Sequence, residues 1–147
     1  MAPIGTPRRL AILGASGNAL DVLDIVAALN AAGSAWQVTG MFDDAAGSSF
    51  AGIPVLGPLA AAGKLSAPGA RLAGTSFVLA VGSDQSHAKR ASILARTGLS
   101  DIDFATLVHP AAAVSDRATL EPGCCIGFGA SVGGHPCLGR PLRRHRP

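Results

Sequence analysis

A glycine-rich segment near the start of the 147-residue chain has residue types that could bind a phosphate. The segment comprises Gly14, Ala15, Ser16, Gly17 and Asn18. When such a segment joins a strand to a helix, its backbone N–H groups and the helix N-terminus can face an anion. The spacing differs from Gly-x-Gly-x-x-Gly, so it does not specify a dinucleotide. A tight turn that binds no ligand is the alternative interpretation.

Two further segments could complete a ligand site. Asp43 and Asp44 follow an apolar segment, and their carboxylates could accept hydrogen bonds from a ribose or a nucleobase. Gly82 and Ser83 follow another apolar segment, and Arg90, next to Lys89, could extend a rim that faces phosphate. The alternatives are solvated loop carboxylates and basic residues on an exposed helix face.

The cysteine and histidine residues do not have the spacing of a metal site. Cys124 and Cys125 are adjacent and Cys137 is distant, which matches no zinc pattern. His87 and His109 are isolated, so both are predicted to be structural. We therefore predict no metal centre.

The first 108 residues alternate between patterns typical of strands and of helices. The apolar segments predict strands at 9–13, 36–42, 52–57, 77–81 and 104–108. The intervening segments predict a helix from Asn18 to Gly33, one or two helical turns at 59–65 and a helix at 84–97. Alternation of this kind predicts parallel βαβ units, with ligands bound at the carboxyl ends of the strands. Residues 1–108 are thus predicted to form a small Rossmann-like α/β domain.

A six-residue period replaces this pattern after Pro110. One aliphatic residue recurs every six positions, and a mostly small residue precedes it by two: the aliphatic set is Val114, Leu120, Ile126, Val132 and Leu138, and the small set is Ala112, Ala118, Cys124, Ala130 and Pro136. Hexapeptide periodicity is typical of a parallel β-helix, in which each repeat forms one side of a triangular coil. Residues 109–139 are therefore predicted to begin such a coil, with the thiol of Cys124 buried inside it.

Charge and composition exclude several classes of partner. The net charge is +3, but four of the 12 Lys and Arg residues lie at positions 140, 143, 144 and 146, which leaves eight basic and nine acidic residues before them. Residues 140–147 are predicted to be a basic disordered tail, and no nucleic-acid surface is expected. The apolar stretches are too short to cross a membrane. Three cysteines without an export signal favour the cytoplasm.

Taken together, the two parts resemble the sialic acid O-acetyltransferase (NeuD/PglD-like) family of sugar acyltransferases. Five segments carry the resemblance: residues 13–17, 42–44, 52–57, 80–83 and 108–112. The resemblance implies an α/β domain that holds a sugar or nucleotide sugar, followed by a left-handed β-helix that binds acetyl-CoA as cosubstrate. It also implies a homotrimer and acetyl transfer to a sugar amine or hydroxyl, with a histidine as the base.

The sequence departs from the family pattern at two places. Asn18 stands where the family usually has His, and the family's catalytic His lies in a later coil than this chain reaches, which leaves His135 as the candidate base. We therefore expect a C-terminally truncated member with little or no activity. The alternatives are an NAD(P)-binding module, disfavoured because the chain has no Tyr, and a protein that binds a nucleotide sugar without catalysis.

Overall fold

The computed structural model describes residues 7–15, 17–45, 47–80, 86–117, 125–128 and 131–132. Within these residues the strands are β1 (Arg8–Leu13), β2 (Trp36–Phe42), β3 (Ser49–Phe50), β4 (Ile53–Gly57), β5 (Ser76–Leu79), β6 (Leu107–Val108), β7 (Ala113–Val114), β8 (Cys125–Ile126) and β9 (Ser131–Val132). The helices are α1 (Gly17–Ala31), α2 (Ala62–Leu65) and α3 (Ser86–Thr97), with 3-10 helices at Leu59–Ala61 and Asp101–Asp103. The predicted alternation of strands and helices is confirmed.

A five-stranded, mostly parallel sheet forms the centre of the α/β part. Its strand order is β3-β4-β2-β1-β5, and only the short β3 runs antiparallel, in a hairpin with β4. Strand β1, which lies between β2 and β5, is buried from Leu10 to Leu13, as expected for an apolar strand covered on both faces. The Rossmann-like fold class is confirmed. The β3–β4 hairpin was not predicted, since its first strand is only two residues long.

The order of the strands places a topological switch point between β1 and β5. From β1 the chain moves to β2 and β4 on one side, and then returns to pair β5 with the other side of β1. Where the direction of strand addition reverses, the loops after the two neighbouring strands diverge and leave a crevice. The glycine-rich segment follows β1 and therefore lies at this switch point.

Two apolar clusters cover the faces of the sheet. On one face, α1 packs through Ala19, Val22, Ile25 and Val26. On the other face, Leu59, Ala62 and Ile93 contribute from the 3-10 helix, α2 and α3. The helical spacing of Leu20, Leu23, Val26 and Ala27 predicts an amphipathic helix with these residues on its apolar side. Val26 is buried and Leu23 packs against the same cluster, but Leu20 and Ala27 are exposed, Leu20 to 46%.

Four short strands follow the sheet. They pair with one another across a sequence separation equal to one turn of a triangular coil. Leu107 pairs with Cys125 and Ala113 pairs with Ser131, both in parallel and both 18 residues apart. Eighteen residues are three hexapeptides, so parallel stacking at this separation is what a three-sided coil requires. The predicted inward residue Ile126 is fully buried. Leu120 and Leu138, like Cys124, lie outside the described residues.

One predicted strand has a different extent. The segment 104–108 was predicted to be a strand of the main sheet, but only Phe104 forms a bridge, to Phe77, and Ala105 N–H donates to the Phe77 carbonyl at 2.9 Å. Leu107–Val108 pairs instead with β8. Leu107 and Cys125 then join the apolar cluster around α1, so the coil begins within the core of the α/β part.

Candidate functional site

The glycine-rich turn closes the carboxyl end of β1. Gly14 has φ +111°, a conformation that glycine adopts at little steric cost. Its N–H donates to the Phe42 carbonyl at the end of β2, at 2.8 Å. On the other side, Ala80 N–H donates to the Leu13 carbonyl at 2.8 Å, which fixes the end of β5 beside the same turn. Since α1 begins at Gly17, the turn leads the chain from the switch point directly into the helix.

The carboxylate of Asp43 holds this turn from the neighbouring strand. Oδ2 accepts a hydrogen bond from Ala15 N–H at 2.7 Å, and Oδ1 accepts one from Ala45 N–H at 2.8 Å. The backbone N–H of Asp43 donates to the Gly57 carbonyl at 3.0 Å. Asp43 therefore connects the carboxyl ends of β1, β2 and β4.

The carboxylate of Asp44 is engaged elsewhere. Its Oδ1 accepts a hydrogen bond from Leu59 N–H at 2.9 Å, and its Oδ2 forms an ion pair with Arg96 near the end of α3. The hydrogen bond from Arg96 is the main cause that lowers the pKa of Asp44, and the bond from Leu59 adds to it. A ligand hydroxyl at Asp44 would share these oxygens with Leu59 and Arg96.

The predicted site residues are thus brought together only in part. Gly14, Ala15 and Asp43 meet at the switch point, and Gly17 and Asn18 open α1 next to them. Asp44 belongs to a different contact. Ser16, Gly82, Ser83 and His135 lie outside the described residues, and for Arg90 only its place in α3 is described.

Sequence reasoning missed Arg96 as the partner of an acidic residue in this region. The two residues are 52 positions apart, and no local spacing links them. The only available signal was a basic residue in the last turn of a predicted helix, which is equally expected from the helix dipole.

Two residues outside the turn have structural roles. Burial raises the pKa of the Cys125 thiol to about 12, and the negative charge of Asp21 adds to this effect. His109 Nδ1 accepts a hydrogen bond from Ala111 N–H at 2.9 Å, and its ring contacts Phe128 edge-on with 5.3 Å between centroids.

In the described ranges, no group of three or more His, Cys, Asp or Glu side chains could hold a metal ion. In the same ranges, no helix has both the length and the apolar character needed to span a membrane.

The family assignment follows from the sequence of the α/β part. The PglD N-terminal domain family matches residues 9–94, which is more than half of the chain and includes β1 from its second residue, β2 to β5, the glycine-rich turn and most of α3. The chain belongs to the PglD N-terminal domain family. The resemblance inferred from residues 13–17, 42–44, 52–57 and 80–83 is thereby confirmed for this part.

Solved structures extend the likeness of this PglD-type chain beyond the matched domain. The acetyltransferase domain of PglB from Neisseria gonorrhoeae FA1090, in complex with acetyl coenzyme A, matches with 25% identity and a TM-score of 0.69, over 94% of this chain and 62% of that one. PerB from Caulobacter crescentus, in complex with CoA and GDP-perosamine, matches with 23% identity and a TM-score of 0.63, over 84% of this chain and 53% of that one.

The chain spans between about half and two thirds of the length of these two structures. The likeness to PerB shows a shared fold. A comparison with curated protein sequences gives no match.

Proposed function

We propose that the α/β part binds a nucleotide-linked sugar at the switch point, as the acceptor-binding part of an acetyl-CoA-dependent acetyltransferase. The observation that carries the proposal is the position of the glycine-rich turn. It lies between the carboxyl ends of β1 and β5, is bonded to the end of β2, and leads directly into α1. Helix N-termini at such crevices suit the phosphates of a nucleotide.

Different groups of the predicted residues are proposed to contact different parts of the ligand. The N–H groups at Ser16, Gly17 and Asn18 would donate hydrogen bonds to phosphate oxygens, because the N-terminus of a helix attracts an anion. Gly82, Ser83 and Arg90 would border the same crevice from the side of β5. Bound GDP-perosamine in the structure of PerB supports a nucleotide-linked amino sugar as the ligand class.

The proposed reaction is acetyl transfer to an amine or hydroxyl of that sugar. The acceptor atom would attack the thioester carbonyl of acetyl-CoA, a base would take the acceptor proton, and CoA would leave as the thiol. His135 is the candidate base within this chain. The coil is proposed to contribute to the acetyl-CoA site in a homotrimer. The acetyl coenzyme A bound in the PglB domain supports acetyl-CoA as the cosubstrate.

Titration calorimetry of the 147-residue protein tests the proposal. We expect binding of a UDP- or GDP-linked amino sugar and no binding of NADH. Binding of NADH alone would instead support the NAD(P)-binding module. Nucleotide-sugar binding without acetyl transfer from acetyl-CoA would support the non-catalytic alternative or the expected weak activity, and acetyl transfer that His135→Ala leaves unchanged would exclude His135 as the base.

A pair of glycine substitutions locates the ligand. Gly14 and Gly33 both have φ +111°, so alanine at either position is expected to cost about 1–2 kcal/mol of stability. Only Gly14 lies at the switch point; Gly33 follows α1 at its other end. Gly14→Ala should weaken nucleotide-sugar binding at least tenfold, and Gly33→Ala should leave it unchanged at a temperature where both variants are folded. Equal losses in the two variants would contradict this location.

A further inference from the structure

A short segment between the sheet and the coil runs along the edge of the sheet at β5, the last strand on that side. Phe104 forms a parallel bridge to Phe77 of β5, and Ala105 N–H donates to the Phe77 carbonyl at 2.9 Å. We call residues 104–107 the edge strap. Its last residue, Leu107, is also the first residue of the coil strand β6, so the edge strap leads directly into the coil.

The edge strap contributes side chains to the apolar clusters on both faces of the sheet. Phe104 is buried with Ile93 in the cluster on the face of α2 and α3. Ala105 and Leu107 are buried in the cluster on the face of α1. Successive residues of an extended chain point to opposite sides, so one segment can pack on both faces at the edge. The core on each face of the sheet therefore includes residues that follow the α/β elements.

The first coil turn continues this packing on α1. Leu107 pairs with Cys125 of β8, and both residues belong to the cluster that contains Val22 and Val26 of α1. The exposed fractions are only 1% for Leu107 and 3% for Cys125. Burial of apolar surface is the dominant favourable contribution to folding. Separation of the coil from α1 would therefore open the same core that covers the sheet.

We propose that the edge strap and the first coil turn form one cooperative folding unit with the α/β part, without a hinge between sheet and coil. This unit extends past residue 94, where the family match ends, and past the predicted domain limit at 108, as far as β8. It is a conformational device, because it holds the coil in a fixed orientation relative to the switch point between β1 and β5. The inference is independent of the proposed function, since its test measures unfolding without a ligand.

The alternative arrangement is an α/β domain that folds alone and carries the coil as an appended segment. The two arrangements differ in their unfolding. A single unit unfolds in one transition that is the same for every probe. An appended coil opens by itself, at a lower free energy than the sheet.

Two probes on opposite sides of the predicted domain limit distinguish these arrangements. Trp36 is the single tryptophan of the chain and is buried at the start of β2, so its fluorescence reports on the α/β part. Cys125 reports on the coil through brief pulses of Ellman's reagent, because its thiol is buried in the folded protein. Urea unfolding is followed with both probes in a Cys124→Ser, Cys137→Ser background. The same measurement is made after adding Leu107→Ala, Leu107→Val or, as the matched control, Leu20→Ala.

One cooperative unit predicts a single urea midpoint for both probes. Leu107→Ala should lower both midpoints by the same amount, because the cavity that it leaves lies in the shared core. Leu107→Val removes only one methylene group, so it should lower both midpoints by a smaller amount and remains informative if Leu107→Ala does not fold. Leu20 is 46% exposed, so Leu20→Ala should leave both midpoints close to those of the background.

Hydrogen exchange of the unmutated protein provides a second measurement. His109 N–H donates to the Ile126 carbonyl within the coil at 2.8 Å, and Ala80 N–H donates to the Leu13 carbonyl at the end of the sheet, also at 2.8 Å. In one unit both amides exchange through the same global opening. Their protection factors should therefore agree within about tenfold and decrease equally with urea.

Other results would overturn the inference. Reaction of Cys125 at urea concentrations where the fluorescence of Trp36 is still native would show that the coil opens separately. A shift in Leu107→Ala that is confined to the thiol probe would show the same. A His109 amide that exchanges much faster than the Ala80 amide, without dependence on urea, would mean that the coil strands separate locally. Each of these results is compatible with binding of a nucleotide sugar, so they would leave the proposed function standing.

Discussion

The backbone N–H of Ala15 and the side chain of Asp43, 28 residues apart in the chain, are joined by a hydrogen bond of 2.7 Å. The bond crosses from the turn after β1 to the loop after β2, and it is partly buried. Asp43 thereby attaches the backbone of Ala15 to the end of β2.

Loss of the Asp43 carboxylate should destabilise the fold. Asp43→Ala leaves the N–H groups of Ala15 and Ala45 without their acceptors, and we expect the free energy of unfolding to fall by about 1–3 kcal/mol. Asp24→Ala, on an exposed position of α1, is the control and should change it by less than about 0.5 kcal/mol. Urea unfolding measures both. Equal effects in the two variants would contradict a structural role of the Asp43 bonds.

The ion pair between Asp44 and Arg96 should contribute little at neutral pH. The two side chains are 41% and 47% exposed, so Arg96→Ala should cost at most about 1 kcal/mol. Asp44→Ala should cost more, because Leu59 N–H also loses its acceptor. A double-mutant cycle measured by urea unfolding isolates the pair, and a coupling energy well above 1 kcal/mol would contradict this expectation.

The same contacts predict the pH at which this contribution disappears. The folded-state pKa of Asp44 lies below its ordinary value of 3.8, so the stabilisation is complete above that value. It is lost as the pH falls through the lowered pKa. The free energies of unfolding of wild type and Asp44→Asn should differ less below pH 3.8 than at neutral pH. A difference that grows on acidification would contradict the lowered pKa of Asp44.

Gly63 should tolerate no side chain. A Cβ at this position in α2 would lie 2.0 Å from the Thr97 carbonyl oxygen at the end of α3. Alanine normally stabilises a helix by about 1 kcal/mol relative to glycine. The clash with the backbone should outweigh this gain, so we expect the free energy of unfolding to fall by about 1–3 kcal/mol in Gly63→Ala.

Gly57→Ala is the matched control for Gly63→Ala. There the new Cβ would meet only the Ala61 side chain, at an ordinary contact distance of 3.5 Å. Thermal unfolding should give a clearly lower midpoint for Gly63→Ala than for Gly57→Ala. A midpoint of Gly63→Ala at or above that of wild type would mean that α2 and α3 are further apart.

Cys125 should be unreactive in the folded protein. With a pKa of about 12, its thiol is almost entirely protonated at pH 8, and only the thiolate attacks a disulfide reagent. In a Cys124→Ser, Cys137→Ser double variant, Cys125 should react with Ellman's reagent far more slowly in buffer than in urea. Equal rates in the two conditions would contradict its burial.

The raised pKa of Cys125 also makes stability depend on alkaline pH. The unfolded thiol loses its proton near the ordinary value of 9.0, whereas the folded one keeps it to about 12. The contribution of this group is therefore complete below pH 9 and is lost as the pH rises towards 12. Urea unfolding at pH 8 and pH 10 should show a smaller decline for Cys125→Ala than for wild type, and identical declines would contradict the assignment.

The coil strand β8 should contribute strongly to stability. Ile126 is fully buried, whereas Ile102 is 91% exposed. Ile126→Ala should cost about 2–5 kcal/mol because it leaves a cavity, and Ile102→Ala should cost less than about 0.5 kcal/mol. Chemical denaturation measures the loss of stability in both variants, which carry the same substitution at a buried and at an exposed position. Similar losses would mean that β8 is not part of the folded core.

The amino-acid sequence was sufficient to predict the conformation of most segments. Apolar segments and the glycines that end them predicted β1, β2, α1 and α3, because both act through local backbone preferences. The six-residue period gave the coil, since repeats of fixed length stack at a fixed register. The observed pairing of Leu107 with Cys125, three repeats later, is the direct result. The domain limits at 108 and 139 and the tail at 140–147 remain predictions.

The tertiary structure alone decided which residues meet. The sequence placed Asp43 and Asp44 side by side as one acidic pair, but one holds Ala15 and the other holds Leu59 and Arg96. It also left Leu20 on the expected apolar stripe of α1, where the structure exposes it. Such contacts join residues far apart in the chain, and they depend on how whole elements pack. Local preferences determine the path of each segment, but the rotation of a helix and the partner of a carboxylate are set by the surfaces that surround them.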